Sequence, residues 1–240
     1  MIYMSRILLL LVLSLGSALT SRAQSVQDII NKYLQAMGGK EKLQTINSVY
    51  QEGIAVLENG AELSSRSWRV YDRVYRQEIS MPAGKVTIVV TPSRGWSAGP
   101  GTGGLFKPLS DAQFKSLRPE IDPGGALVDY AAKGYALSLL GKEAVNGKTC
   151  YKIKIAKAGD PDFIYFIDAT TYLISKVQTD IKANGSVITT DAVMEDYRKT
   201  PEGYTFPFST TVTVQTGEIK SVVNKITVNP TVAPALFQKP

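Results

Sequence analysis

One pentapeptide in this chain could carry nucleophilic chemistry. Gly95-Trp96-Ser97-Ala98-Gly99 matches the G-x-S-x-G elbow, which presents a reactive serine on a strand–turn–helix. The serine of such an elbow needs a base, and the sequence contains no His at all. Pro100 and Gly101 follow where a helix should begin. The pentapeptide therefore reads as a strand end built from small residues. The lack of His reaches further, because His is the commonest general base and transition-metal ligand. Ser-His-Asp and Cys-His machinery is excluded, and a zinc site has no His and a single Cys to draw on. Gly99, Gly101 and Gly104 fit G-x-G-x-x-G, but the dinucleotide version must open a helix inside a βαβ unit. Here the next helix signal comes only at Ser110, so a loop is the better reading. Asp191, Glu195 and Asp196 cluster in one strand pattern, and Asp160 and Asp162 flank Pro161. Paired carboxylates could do acid–base work or bind calcium, yet neither group has the spacing of a calcium loop. Cys150 lies in a strand pattern with no neighbour to activate its thiol. No catalytic residue, metal or cofactor is expected.

The elements around these residues read as mainly β with short helices. The chain has 240 residues and 44% aliphatic and aromatic residues, enough for a substantial core. Residues 1–23 are set apart: Arg6, the apolar stretch Ile7–Leu15 and Ser21-Arg22-Ala23 form a secretory signal peptide, cleaved between Ala23 and Gln24. The stretch is shorter than the roughly 20 residues that span a bilayer, and no Cys follows to take a lipid, so the expected product is a soluble exported protein. The formal charge of +6 falls to +4 without Arg6 and Arg22. That mild excess suits visits to an anionic membrane surface and does not indicate nucleic acid.

Ser25 with Asp28 forms a capping box before a helix with Ile29, Ile30, Tyr33, Leu34 and Met37 on one face, ended by Gly38-Gly39. Lys40–Ile46 is a second short piece. Asn59-Gly60, Asn146-Gly147 and Asn184-Gly185 each separate strand patterns, as the two positive φ angles of a type I′ hairpin turn require; the hairpin also accounts for the glycosylation-like Asn184-Gly185-Ser186. Phe163–Ile167 is apolar throughout and predicts a strand covered on both faces. In all, eleven or twelve antiparallel strands are expected in one domain, residues 24–240. A helical insert at about 110–133 is expected between two strand blocks, with helices over Ser110–Leu117 and Ala126–Lys133.

Two sets of apolar residues remain. Trp68, Tyr75, Ile79, Ile88 and Trp96 lie in adjacent strands, and Phe106, Phe114, Leu117, Leu127 and Tyr130 in or near the insert. They are either ordinary core or the lining of an apolar cavity whose lid is the insert.

Several stretches bear a family resemblance. Tyr33-Leu34-Gln35-Ala36-Met37-Gly38-Gly39-Lys40-Glu41-Lys42-Leu43 resembles the opening of LolA-like, outer-membrane-lipoprotein-sorting proteins of Bacteroidetes. So do Leu140-Gly141-Lys142-Glu143, Gly147–Ile153, Tyr165-Phe166-Ile167-Asp168 with Thr171-Tyr172-Leu173, and Asn229-Pro230 onward to Phe237. The resemblance implies an unclosed antiparallel β-barrel of about eleven strands with a helical lid. It implies a monomeric periplasmic chaperone that holds lipid or lipoprotein acyl chains between an inner-membrane transporter and an outer-membrane receptor. It also implies a barrel arginine that governs the lid, with Arg66, Arg69, Arg73 and Arg76 as candidates. Two other readings stand beside the carrier: an interaction or envelope-sensing module whose cavity is filled by its own side chains, and, more distantly, a carboxylate-dependent enzyme.

Overall fold

The structure, a computed structural model, describes residues 25–183, 186–214 and 217–237. The expected signal peptide and the Asn184-Gly185 turn lie outside the described residues. The first helix, α1 (Val26–Ala36), begins as its sequence directs: the Asp28 amide donates to Ser25 Oγ at 3.1 Å and the Ser25 amide to Asp28 Oδ2 at 3.3 Å. Its buried face carries Ile29, Ile30, Tyr33 and Leu34. A one-turn helix, α2 (Lys40–Gln44), follows.

Six strands then run up and down: β1 (Ser48–Leu57), β2 (Glu62–Val70), β3 (Val74–Met81), β4 (Gly84–Val90), β5 (Gly95–Ala98) and β6 (Lys107–Pro108). Seven more follow the insert: β7 (Ala136–Val145), β8 (Lys148–Ala156), β9 (Asp162–Asp168), β10 (Ile174–Ala183), β11 (Ser186–Lys199), β12 (Thr205–Val214) and β13 (Gly217–Val228). Among the described residues this makes one antiparallel sheet of 13 strands, in the order β6-β5-β4-β3-β2-β1-β13-β12-β11-β10-β9-β8-β7. The last strand returns to pair with the first, so β6 and β7, consecutive in the chain, are the two free edges of an unclosed sheet. The excess over the expected strand number comes from short strands; β6 has only two residues and carries no readable alternation.

Two local expectations are corrected. Ala126–Lys133 is a series of turns rather than a helix, because Asp129 takes a positive φ of 51°. Tertiary bonds hold it there: Gln44 Nε2 donates to Asp129 Oδ2 at 2.6 Å, and Lys40 pairs with Asp129 at 3.1 Å. In the insert only α3 (Asp111–Leu117) is α-helical, started by the Ser110–Gln113 capping box and continued by a 3₁₀ turn, Arg118–Ile121. The turn at Asn59-Gly60 also differs. Only Gly60 has positive φ, and the Gly60 amide bonds to the Leu57 carbonyl, so this is a wider loop rather than a type I′ turn. Asn146 and Gly147, with φ of 48° and 77°, do form the tight I′ link between Val145 and Lys148.

The core sits on the inner face of the sheet. There α1 packs over β8–β10 and β12, with Ile153, Ile155, Ile167 and Phe206 beneath it and Leu127 and Val128 of the insert beside it. Phe166, on the opposite face of β9 from Phe163 and Ile167, is also fully buried, in a small outer cluster with Val145 and Cys150. The doubly covered central strand is thus present.

Between β1 and β13 the register slips at Glu52/Gly53. A Cβ on Gly53 would lie 2.0 Å from the Val222 carbonyl oxygen, a backbone atom that cannot give way without moving the strand. Gly53→Ala is expected to destabilise the fold by about 2–3 kcal/mol through overpacking, measured by urea unfolding. Gly101→Ala, where no atom lies within 4 Å of the added carbon, is expected to stay within about 0.5 kcal/mol.

Candidate binding cavity

The paired register assigns every side chain of the first block to a face. One row runs Val49, Arg69, Tyr75, Val90, Gly95; the next runs Gln51, Ser67, Gln77, Ile88, Ser97. These rows face inward. The alternate row, Tyr50, Trp68, Arg76, Val89 and Trp96, faces outward.

Between the inner face, α1 and the insert lies a cavity of about 520 Å³, within the roughly 300–1,000 Å³ of small-molecule sites. Its walls differ in character. Strands β9–β12 supply an apolar wall with Tyr165, Val177, Met194, Tyr197 and Val212, and Tyr33 and Met37 of α1 close one end. Strands β1–β3 supply a polar wall with Gln51, Ser65, Ser67, Arg69 and Gln77. Burial pushes the hydroxyl groups of Tyr33, Tyr75, Tyr165 and Tyr197 well above their ordinary value, so they remain protonated. The Tyr197 hydroxyl donates to the Ile174 carbonyl at 2.9 Å.

The candidates named from the sequence separate clearly. Tyr75, Leu117 and Leu127 line the cavity. Ile79 and Ile88 lie on the inward rows, opposite Ser65 and Gln77, but outside the lining. Phe114 lies over the inner face of β5, where a Cβ on Gly95 would come within 3.5 Å of its ring, and Phe106 precedes β6; neither lines the cavity. Tyr130 packs on the α1 core, and its hydroxyl donates to Gln27 Oε1 at 2.6 Å.

Trp68 and Trp96 are on the outer face, and their assignment to the cavity is corrected. Trp68 is the largest apolar side chain of β2, so hydrophobicity alone favours placing it inside. In the fold Trp68 packs on Tyr50, with ring centroids 5.2 Å apart, and Arg69 takes the inward place. An arginine is tolerated there because its donors are used: Nε and Nη2 donate to Glu120 Oε2 at 2.9 and 2.7 Å, and Nη1 to Gln51 Oε1 at 2.7 Å. Its guanidinium also lies 5.3 Å from the Tyr75 ring centre. Glu120 belongs to the insert, so this pair ties the polar wall to the segment that crosses the opening. Arg76 is bonded to Glu78 on the outer face, and Arg66 is on that face too, opposite Glu52 and Glu78. Arg73 lies in the β2–β3 turn. Arg69 is among the candidate lid arginines, but its partner Glu120 and the β9–β12 wall are not apparent from the sequence; Phe163 and Tyr165, within the apolar run, are the available signal for the wall.

Four of the carboxylates weighed for chemistry are engaged in ion pairs. Asp191 pairs with Lys176 and Asp196 with Arg198, while Asp160 pairs with Arg118 and Asp162 with Lys154. Burial raises the Cys150 thiol above its ordinary range. Among the described residues no group of acidic, His or Cys side chains could hold a metal ion, and no helix is long and apolar enough to cross a membrane.

No family model and no curated protein matches the sequence. Solved structures do match the fold. A LolA superfamily protein from Nitrosomonas europaea aligns with a TM-score of 0.60 at 14% identity, over 90% of this chain and 99% of its own. A DUF1329 family protein from Desulfovibrio piger aligns at 0.61 and 13%, over 89% and 97%. An outer-membrane-lipoprotein-sorting-type domain from Vibrio parahaemolyticus aligns at 0.56 and 12%, over 88% and 94%. With its open antiparallel sheet and the helices along its inner face, the chain has the LolA-like unclosed-barrel fold.

Proposed function

We propose that this chain is a periplasmic binding protein, without catalysis of its own, that shelters an acyl chain or the lipid part of a lipoprotein. One observation carries the reading: a cavity of about 520 Å³, apolar on its β9–β12 wall, beneath an insert whose 111–121 part is tied to the barrel through the Arg69–Glu120 bond. Burying a methylene contributes roughly 0.8 kcal/mol. About ten of them in this cavity would contribute about 8 kcal/mol before the costs of ordering the ligand. In this reading the protein is a monomer exported by its signal peptide, and its partners are an inner-membrane donor and an outer-membrane acceptor. The Arg69–Glu120 bond is the fastening that must yield when the insert moves aside.

Titration with a fluorescent fatty acid tests the reading. Saturable uptake is expected, and Ala192→Trp, which places an indole on the apolar wall, should weaken it at least tenfold, as loss of about two buried methylenes would. A folded protein that takes up no fatty acid contradicts the carrier and favours a module that acts through a protein partner. For the fastening, Glu120→Gln should speed amide exchange in residues 111–121 several-fold while changing global stability by no more than about 1 kcal/mol, because Glu120 is 40% exposed.

A further inference from the structure

A second hollow of about 370 Å³ adjoins the cavity, and Pro119 and Asp122 line both. It lies at the seam where the insert meets the two halves of the sheet. Tyr71 and Asp72 come from the β2–β3 turn, Lys157 and Asp160 from the segment after β8, and Arg118, Lys133 and Tyr135 from the insert and its exit. Its charges are not equally committed. Arg118 pairs with Asp160. Lys133 pairs with Asp122 and also donates to the Gly125 carbonyl at 2.9 Å. Lys157, partly buried, has no carboxylate or hydrogen-bond acceptor among the described residues; its ammonium lies 5.2 Å from the Tyr135 ring centre. The hydroxyl groups of Tyr71 and Tyr135 likewise have no hydrogen-bond partner among the described residues. Burial raises the Tyr135 hydroxyl, which keeps it a donor. Asp72, the remaining carboxylate, is exposed in its turn, where solvent screens it.

We infer that this outer hollow receives the head group of an amphiphile bearing a single negative charge, held by Lys157 and the Tyr71 and Tyr135 hydroxyls, while its tail lies in the apolar cavity. The inference rests on the carrier reading and narrows it. One cation and two hydroxyl donors match one negative charge spread over two or more oxygens, as in a carboxylate or a phosphodiester. Pro119 and Asp122 line both hollows, so a ligand with its head in the outer one and its tail against the β9–β12 wall would pass beside them. The neutral acylated end of a lipoprotein would leave Lys157 unmatched.

Isothermal titration with dodecanoate, 1-dodecanol and lysophosphatidylglycerol tests this on the whole protein. Dodecanoate should bind at least tenfold tighter than dodecanol. Lys157→Met should remove most of that preference while leaving dodecanol unchanged, and Lys157→Arg should restore it. Binding of lysophosphatidylglycerol that also depends on Lys157 assigns a phosphodiester head as well; a dependence confined to dodecanoate assigns a carboxylate. Equal binding of acid and alcohol, or an equal loss of both in Lys157→Met, overturns the inference and leaves the carrier standing. Failure of all three ligands to bind overturns the carrier reading, and the inference with it.

Discussion

The return of β13 to β1 is the constraint from which the rest follows. Once the last strand pairs with the first, the sheet's free edges must be β6 and β7, the two strands that flank the insert. Residues 109–135 therefore have to travel from one edge to the other. The shortest covered route lies across the mouth of the open sheet, over its inner face. A lid is a topological necessity here before it is a functional device. An uncovered inner face would leave apolar side chains in water, and bare edges would invite pairing with other chains.

What covers the inner face is held by two kinds of force. Helix α1 is fixed by apolar burial: Ile29 and Ile30 are fully inaccessible, and Tyr33 and Leu34 nearly so. Each such side chain contributes roughly 1.5–3 kcal/mol, so α1 is a permanent part of the core. Within the insert, Leu127 and Val128 are buried in the same core, whereas residues 111–121 bury no side chain fully and are tied through Arg69–Glu120 and Arg118–Asp160. Partly exposed ion pairs are worth about 0–1 kcal/mol each. The difference in strength makes residues 111–121 the part of the insert that can yield while the barrel stays intact.

Much of this was readable from sequence wherever the cause was local. The capping boxes at Ser25–Asp28 and Ser110–Gln113 need only four residues each, and both formed. Asn146-Gly147 carries its own turn. Strand alternation located the long strands, and the apolar run Phe163–Ile167 marked the strand covered on both faces. Errors arose where a distant residue decides. Which face of β2 points inward depends on Glu120, 51 positions after Arg69, whereas hydrophobicity alone favours Trp68. The stretch Ala126–Lys133 has helical composition, yet Asp129 leaves helical geometry to meet Lys40 and Gln44. The two cavity walls belong to strand blocks that meet only in the folded sheet, so their contrast in polarity had no counterpart in any single segment.

Whether the space under the insert holds a ligand decides between a carrier and a purely structural fold. Native mass spectrometry of the protein, purified gently from its own envelope, addresses this most directly. A second population, heavier by the mass of one acyl-bearing lipid, is expected, and it should collapse to the apo mass after organic extraction. A single apo mass under conditions that preserve lipid on a known carrier would contradict the carrier reading.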